Sequence, residues 1–405
     1  MKSIQLIFTG LVSIWILLIC AGCEYDTPAS LWDPDEEGMV PSATISEIVP
    51  ENIAGGGVNE IEIQGTDFSA ELSDNLVYFN NLQAELISAE PTRLVVYRPN
   101  LASDDIHIKV VVSGAMLLAE YAPYTVTDVL ENFTEKYDDT NNVRNFTTGA
   151  DGTYYVIMRD RTMRRRVAGS DEEEQIAELS ERNIGDLRFG PDGNLYYIRS
   201  NNVKMYKIIL ETFTEELYTT LPASVSVFDY DANGVAYIAG NGSGILALTS
   251  PEDIQTVGDY SGFNCLALRV FDQAVYVLAE YLGDDTGVPA VAVWKNPILD
   301  GNGSLAEKEL FLNWSESAYG EASPADIEFA ANGDLYISCD DEQPIVRYVN
   351  GQIKPLYKDM IAGPVSFMDW GPDNYLYFYS DVATLADKNV YKADMGQPGA
   401  PHHGR

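Results

Sequence analysis

Histidine is nearly absent from this sequence. The chain has three, His107, His402 and His403, and none lies between residues 127 and 395. Over that span, acid–base or metal chemistry that depends on an imidazole has no residue to use. Cysteine is scarce as well, with Cys20, Cys23, Cys265 and Cys339 only, and no metal-type pair among them. Basic residues are few: 25 Lys and Arg against 62 Asp and Glu, a net charge of −37. Such a field repels nucleic acid and anionic lipid surfaces, which excludes a nucleic-acid partner. There is no phosphate-cradling glycine loop, no Walker-type motif and no nucleophile set beside a base. Only one apolar run approaches the length of a membrane span.

That run occupies residues 4–22, behind a single charge at Lys2, and ends in Ile19-Cys20-Ala21-Gly22-Cys23. By length alone it reads as a membrane helix, and by its end as a secretion signal with a cleavage site. The ending resembles a lipobox, with Cys20 where leucine is commonest. The resemblance implies removal of residues 1–22, acylation of Cys23, and membrane attachment through lipid alone. The mature chain would then carry 62 acids against 24 bases, or −38. Residues 23–42 follow as an acidic tether containing Asp33-Pro34-Asp35-Glu36-Glu37-Gly38. It reads as a plain solvated linker. It also resembles the start of surface-exposed lipoproteins of Bacteroidetes-type bacteria, which implies an outer-membrane, cell-surface location.

Residues 43–126 alternate short apolar strands with Gly, Pro, Asn and Asp turns, the pattern of a small antiparallel sandwich. The words are Ile45-Ser-Glu-Ile-Val-Pro50, Gly55-Gly-Gly57, Ile61-Glu-Ile-Gln-Gly-Thr-Asp-Phe68 and Leu76-Val-Tyr-Phe-Asn80. They resemble the IPT/TIG family of immunoglobulin-like domains, which implies a spacer or interaction module. His107 is expected on a strand face, exposed or satisfied.

Beyond residue 127 the chain repeats one phrase: Asp-Gly-Asn-Leu-Tyr-Tyr-Ile at 192–198, Asn-Gly-Asp-Leu-Tyr-Ile-Ser at 332–338, and four looser copies. Aligned on Tyr155, Tyr196, Tyr237, Tyr276, Tyr336 and Tyr377, the spacings are 41, 41, 39, 60 and 41, always with Asp or Asn four residues before the tyrosine. Asp-Gly and Asn-Gly tolerate positive φ at both central positions of a tight hairpin turn, and the apolar runs on either side are strands. A period near 40 with several strands per unit predicts four-stranded blades, hence an all-β chain: an immunoglobulin-like sandwich followed by a six-bladed β-propeller over residues 127–395. The last repeat lacks a fourth strand of its own. A strand near residues 129–137 is therefore expected to complete it and close the ring, leaving residues 396–405 as a Gly/Pro tail. Phe189-Gly-Pro-Asp-Gly-Asn-Leu-Tyr196 and Phe329-Ala-Ala-Asn-Gly-Asp-Leu-Tyr336 resemble the NHL-type and gluconolactonase-like propellers. That is a signature of fold, not of chemistry.

The resemblance frames two site expectations. Related propeller lyases use a catalytic histidine or histidine-bound zinc, and the repeats contain none. A gluconolactonase-like site uses carboxylates and asparagines at the channel mouth. It would draw on Asp186, Asp326 and Asn145, each ten residues before a repeat tyrosine, and hold calcium or another divalent cation. A second set lies eight before: Arg188, Asp229, Glu328 and Asp369. Both sets also read as charge pairs or solvated channel lining. For binding, the candidates are Trp314, Tyr319, Tyr281, Tyr260 and Tyr379, on loops of the face opposite the Asp-Gly turns, where repeat four is enlarged. A flat ring beside Asp and Asn suits a sugar, and packing between blades is the competing use of the same rings. Cys265 and Cys339 read as buried thiols, a disulfide being the alternative. The basic run at 159–166 is followed by acids at 171–174, which suggests one hairpin with paired charges. The architecture resembles accessory lipoproteins of SusC/SusD-type uptake systems. That implies a head that binds a glycan or peptide or docks a partner protein. The alternative is a carboxylate-metal lactonase or lyase.

Overall fold

The computed structural model describes residues 40–134, 142–382 and 388–405. The signal segment, Cys23 and most of the tether lie outside the described residues, as do residues 135–137 of the expected closing strand. Every long element is a strand.

Residues 44–126 form a two-sheet sandwich. One sheet orders Thr44–Val49, Glu60–Thr66, Arg93–Tyr97 and Leu86–Glu90; the other orders Ile53–Ala54, Ala119–Val126, Ser103–Val112, Asn75–Phe79 and Leu82–Ala84. Alternation along the strands sends Ile61, Ile63, Val77, Phe79, Ile108 and Val110 into the shared core. His107 stands half-buried on a strand face, with Nδ1 2.6 Å from Glu120 Oε1.

Six four-stranded sheets follow, arranged as the blades of a propeller. Their inner strands are Val143–Thr148, Ile184–Phe189, Val227–Tyr230, Phe263–Phe271, Pro324–Phe329 and Val365–Trp370. The second strand of each blade carries the repeat tyrosine and is almost wholly buried between neighbours. Blade 6 takes its outer strand from the other end of the chain: Leu130–Asn132 pairs antiparallel with Asn389–Asp394. This pairing joins the two ends of the propeller and closes the ring. The first blade's outer hairpin pairs its charges, with Arg161 to Glu178 at 2.6 Å and Arg166 to Asp171 at 2.8 Å. Cys265 and Cys339 are free and buried, and burial pushes their thiols up to about 12 and about 11.

The repeat turns differ from expectation in one respect. Gly152, Gly193, Gly234 and Gly333 have positive φ, but the Asp or Asn before them does not. In blades 1, 2 and 5 its side-chain oxygen instead accepts a backbone N–H two residues on, as Asp151 does from Thr153, and Asp373 of blade 6 does the same from Tyr375; in blade 3 Asp231 takes that role, accepting from Asn233 N and Val235 N. Among the repeat turns, that of blade 4 alone is the two-residue turn with both central residues left-handed, Asp272 and Gln273.

The sandwich docks on blades 5 and 6. Tyr357 N–H donates to Asn59 Oδ1 at 2.8 Å, Gly57 N–H donates to Tyr357 Oη at 2.6 Å, and Lys354 pairs with Glu60 at 2.7 Å. Gly57 has φ +77, and a Cβ there would meet the Met395 carbonyl oxygen at 2.3 Å, so the contact requires glycine.

Candidate functional site

The antiparallel register puts one residue of each inner strand opposite the repeat tyrosine: Thr147, Arg188, Asp229, Arg269, Glu328 and Asp369. These six form a ring in the channel, and all are buried. Four were legible in the sequence. Arg269 escaped the eight-residue spacing because the blade 4 turn is one residue shorter and places it seven before Tyr276. The ring is a salt-bridge network. Arg188 Nη1 reaches Glu328 at 3.4 Å and Asp369 at 3.8 Å, and its Nε lies 3.4 Å from Asp186. Arg269 Nε donates to Glu328 Oε2 at 2.9 Å, and its Nη1 donates to Asp229. Burial drives the Glu328 and Asp186 carboxyls up, while the guanidiniums pull them back.

Every junction between neighbouring inner strands is bridged by one of these side chains or by a candidate metal ligand. Asn145 Nδ2 donates to Gly185 O at 3.2 Å. Asp186 Oδ2 accepts from Phe228 N at 3.2 Å, and Asp229 Oδ2 from Val270 N at 2.8 Å. Arg269 to Glu328 spans the next junction. Asp326 Oδ2 accepts from Met368 N at 2.8 Å, and Asp369 Oδ2 from Thr148 N and Oγ1, both at 2.8 Å.

This arrangement bears on the expected cation site. Asp186, Asp326 and Asn145 sit on the inner strands of blades 2, 5 and 1, but their oxygens are already committed. The other oxygen of each carboxylate accepts its own following N–H, from Leu187 at 2.9 Å and Ile327 at 2.8 Å, and Asn145 Oδ1 accepts from Phe146 at 2.7 Å. Three side chains spent on holding backbones do not converge on an ion, and they do not fit a divalent cation.

The residue that sequence reasoning missed is a histidine. The tail crosses the Asp-Gly face and enters the channel. Ala331 N–H donates to Pro398 O at 3.0 Å and Ala400 N–H to Phe329 O at 2.8 Å. His402 Nε2 then lies 3.2 Å from Arg269 Nη2, 3.7 Å from Glu328 Oε2 and 3.9 Å from Asp369 Oδ1. Arg405 donates to Asp369 and to the Trp370 carbonyl. The fit is tight: a Cβ on Gly399 would stand 2.2 Å from the Trp370 ring, and one on Gly404 1.7 Å from the Phe189 carbonyl oxygen. A channel with no histidine in its repeats thus receives one from outside them. Burial, with Arg269, Arg405 and Arg188 nearby, holds the His402 ring well below its usual pKa and keeps it neutral. Glu328, Asp369 and His402 are close enough to share an ion. However, the Arg269 and Arg405 guanidiniums already hold the same atoms, and a cation would have to displace them.

Beside the plugged channel a cavity of about 920 Å³ opens on the Asp-Gly face. Its walls are the turns of blades 3, 4 and 5 and the loop at 298–301, with Pro401 and His403 of the tail. Asn233, Asp272, Gln273 and Asn332 bring polar groups; Leu299, 65% exposed, and Phe271 bring apolar surface. The loop at 298–301 belongs to the enlarged fourth repeat, so part of that extra length falls on this face.

The aromatic candidates lie elsewhere. Trp314 is fully buried, and its Nε1 donates to Ala322 O at 2.9 Å. Tyr260 is buried with its hydroxyl accepting from Asn296 Nδ2 at 2.9 Å, and Tyr379 is buried in the core between blades 6 and 1. These three present no ring face to a ligand, because inter-blade packing uses them. Tyr281 and Tyr319 are half-buried. Part of the loop between Tyr379 and Lys388 lies outside the described residues.

Fold and site together describe an immunoglobulin-like module carrying a six-bladed propeller with a plugged channel and an open side pocket. Residues 43–126 match the IPT/TIG domain family. A search of curated proteins finds no match. Among solved structures, the chain is similar to an auxiliary nutrient binding protein from Bacteroides ovatus ATCC 8483, at 12% identity and TM-score 0.53, covering 89% of this chain and 98% of the other. It is similar to another from Bacteroides thetaiotaomicron VPI-5482 at 11% identity and TM-score 0.51, over 89% and 98%. A luciferin-regenerating enzyme is similar at 14% identity and TM-score 0.50, over 68% of this chain and 98% of its own. At these identities the likeness is one of fold.

Proposed function

We propose that this chain is a lipid-anchored protein of the outer cell surface whose propeller captures a polar nutrient, a glycan or a peptide, in the cavity on the Asp-Gly face. The observation that carries the reading is the cavity of about 920 Å³, which lies outside the bonded network of the channel. Its mixed lining suits a ligand with hydroxyl or amide groups and one apolar face. The channel beside it has its acids, guanidiniums and imidazole engaged with one another. The fold shared with two Bacteroides auxiliary nutrient binding proteins supports the same reading, as does the lipobox-like Ile19-to-Cys23 ending. A SusC/SusD-type transporter is the proposed recipient of the ligand, and Cys23 the proposed anchor.

The test is calorimetric titration of the purified protein with oligosaccharide and peptide panels. Leu299→Ala and Asn332→Ala are expected to weaken a hit about tenfold or more, while Tyr281→Ala and Tyr319→Ala leave it unchanged. The reverse pattern would move the site to the opposite face. A metal-dependent lactonase or lyase is the second reading, favoured by the approach of Glu328, Asp369 and His402. Elemental analysis before and after chelation, followed by a lactone screen, decides it. One tightly held divalent ion per chain, lost together with turnover in Asp369→Asn, would establish that reading.

A further inference from the structure

Among the described residues, a run of exposed apolar side chains lies at one end of the immunoglobulin-like sandwich. Met116, Leu117 and Leu118 stand at 49%, 69% and 48% exposure on the hairpin between Ser103–Val112 and Ala119–Val126. Val40, Leu72 and Leu76 are exposed beside them. Three contacts tie these residues to the same end: Val40 bridges Ala115, Ser113 N–H donates to Asp74 O at 2.8 Å, and Leu76 pairs with Val111. Residues 113–118 carry no charge, in a chain whose net charge is −37. Glu71, Asp74 and Glu120 stand around this tip, not in it.

Two features of the chain path say what covers it. The first is where the tip sits. Ser103 pairs with Val126, next to the junction with the propeller, so the 10-residue strand Ser103–Val112 separates tip from junction. At about 3.3 Å per residue that is about 30 Å, and the tip points away from the propeller. The second is where the tether enters. The described chain begins at Val40, on the tip itself, 17 residues after Cys23 (40 − 23). A chain of that length cannot exceed about 60 Å end to end. A lipid on Cys23 would therefore hold this end of the sandwich, rather than the propeller, at the bilayer.

We propose that the Met116–Leu117–Leu118 tip inserts into the lipid surface beside the Cys23 anchor. The sandwich then stands upright on the membrane and presents the propeller outward. The inference rests on the lipid-anchor reading above. An uncharged apolar tip ringed by acids suits a zwitterionic lipid surface and not an anionic one.

The experiment uses the full-length acylated protein in phosphatidylcholine vesicles. Leu117→Cys is labelled with an environment-sensitive fluorophore, and Leu217→Cys, exposed on an outer strand of blade 2, serves as the control; Cys265 and Cys339 are buried. Chain-brominated lipid is expected to quench the label at 117 at least threefold more than the label at 217. Equal quenching at the two positions overturns the proposal. So does concentration-dependent dimerisation in detergent that Leu117→Glu abolishes, because the tip would then cover a second copy. Palmitate incorporation, and its loss in Cys23→Ala, is scored separately. Its failure would sink the anchor reading, whereas equal quenching with palmitate incorporated sinks only the tip.

Discussion

His402 and His403 are neighbours in sequence and lie in different chemical settings. The first is driven into a channel where carboxylates and guanidiniums are paired, and its ring is kept neutral. The second lines an open cavity whose walls come from turns. Within one propeller, then, the charge-rich region acts as structure, and the cavity beside it stays open. Strong charge in a channel does not by itself mark reactivity. Buried ions become costly once unpaired, so charges held by one another in this way are committed to holding the ring together.

The contrast can be broken from the channel side first. Asp369→Ala is expected to cost about 3–5 kcal/mol, because it strands Arg405 and Arg188 and releases Thr148 at the joint between blades 6 and 1. Urea unfolding measures it. If Asp369→Ala and Arg405→Ala were additive in a double-mutant cycle, the network would be wrong.

A smaller effect concerns pH. Burial, partly offset by Arg188, holds the Asp326 carboxyl at about 8. The fold thus binds a proton that the unfolded chain has released above about 4. Stability from this group is complete at low pH and is lost as pH rises through about 8. Asp326→Asn is expected to flatten the fall in Tm between about pH 4 and about pH 8, and an unchanged slope would remove Asp326 as its source. His402 acts in the opposite direction. Its lowered pKa means docking stability is present above about 6.5 and lost as pH falls below it, by at most about 1.4 kcal/mol per unit. Limited proteolysis of the tail should accelerate in acid for the native chain and lose that pH dependence in His402→Ala.

The smallest effect sharpens the comparison from the pocket side. Leu299→Ala should change stability by less than about 0.5 kcal/mol, since its side chain is exposed, and its effect should appear in ligand affinity alone. Asn332→Ala should cost about 1 kcal/mol, since Asn332 Oδ1 accepts the Asp334 N–H in the turn. A large stability loss would mean that the pocket walls are structural, like the channel.

Much of the architecture was legible because it is periodic. The tyrosine spacing marked the blades, and the alternating strands before residue 127 marked the sandwich. Arg188, Asp229, Glu328 and Asp369 stood out at one offset. Arg269 did not, because a two-residue turn shifted it by one position. Trp314, Tyr260 and Tyr379 turned out buried because tyrosine and tryptophan serve inter-blade packing as readily as ligand stacking, and composition does not separate the two uses. Trp314 is the clearest case, a loop residue with its indole turned inward onto Ala322.

By itself the sequence determined the number and kind of elements, since turn chemistry and strand alternation act over a few residues and repeat. It also determined the acidic field, which needs no coordinates. Only the tertiary structure decided the use of the charges. Whether Asp186 and Asp326 face an ion or a neighbouring N–H depends on where the adjacent blade's backbone falls, 42 residues along the chain in each case. The tail is the extreme example. His402 meets Arg269 across 133 residues, and no local pattern records a contact made by a chain end that enters a closed ring.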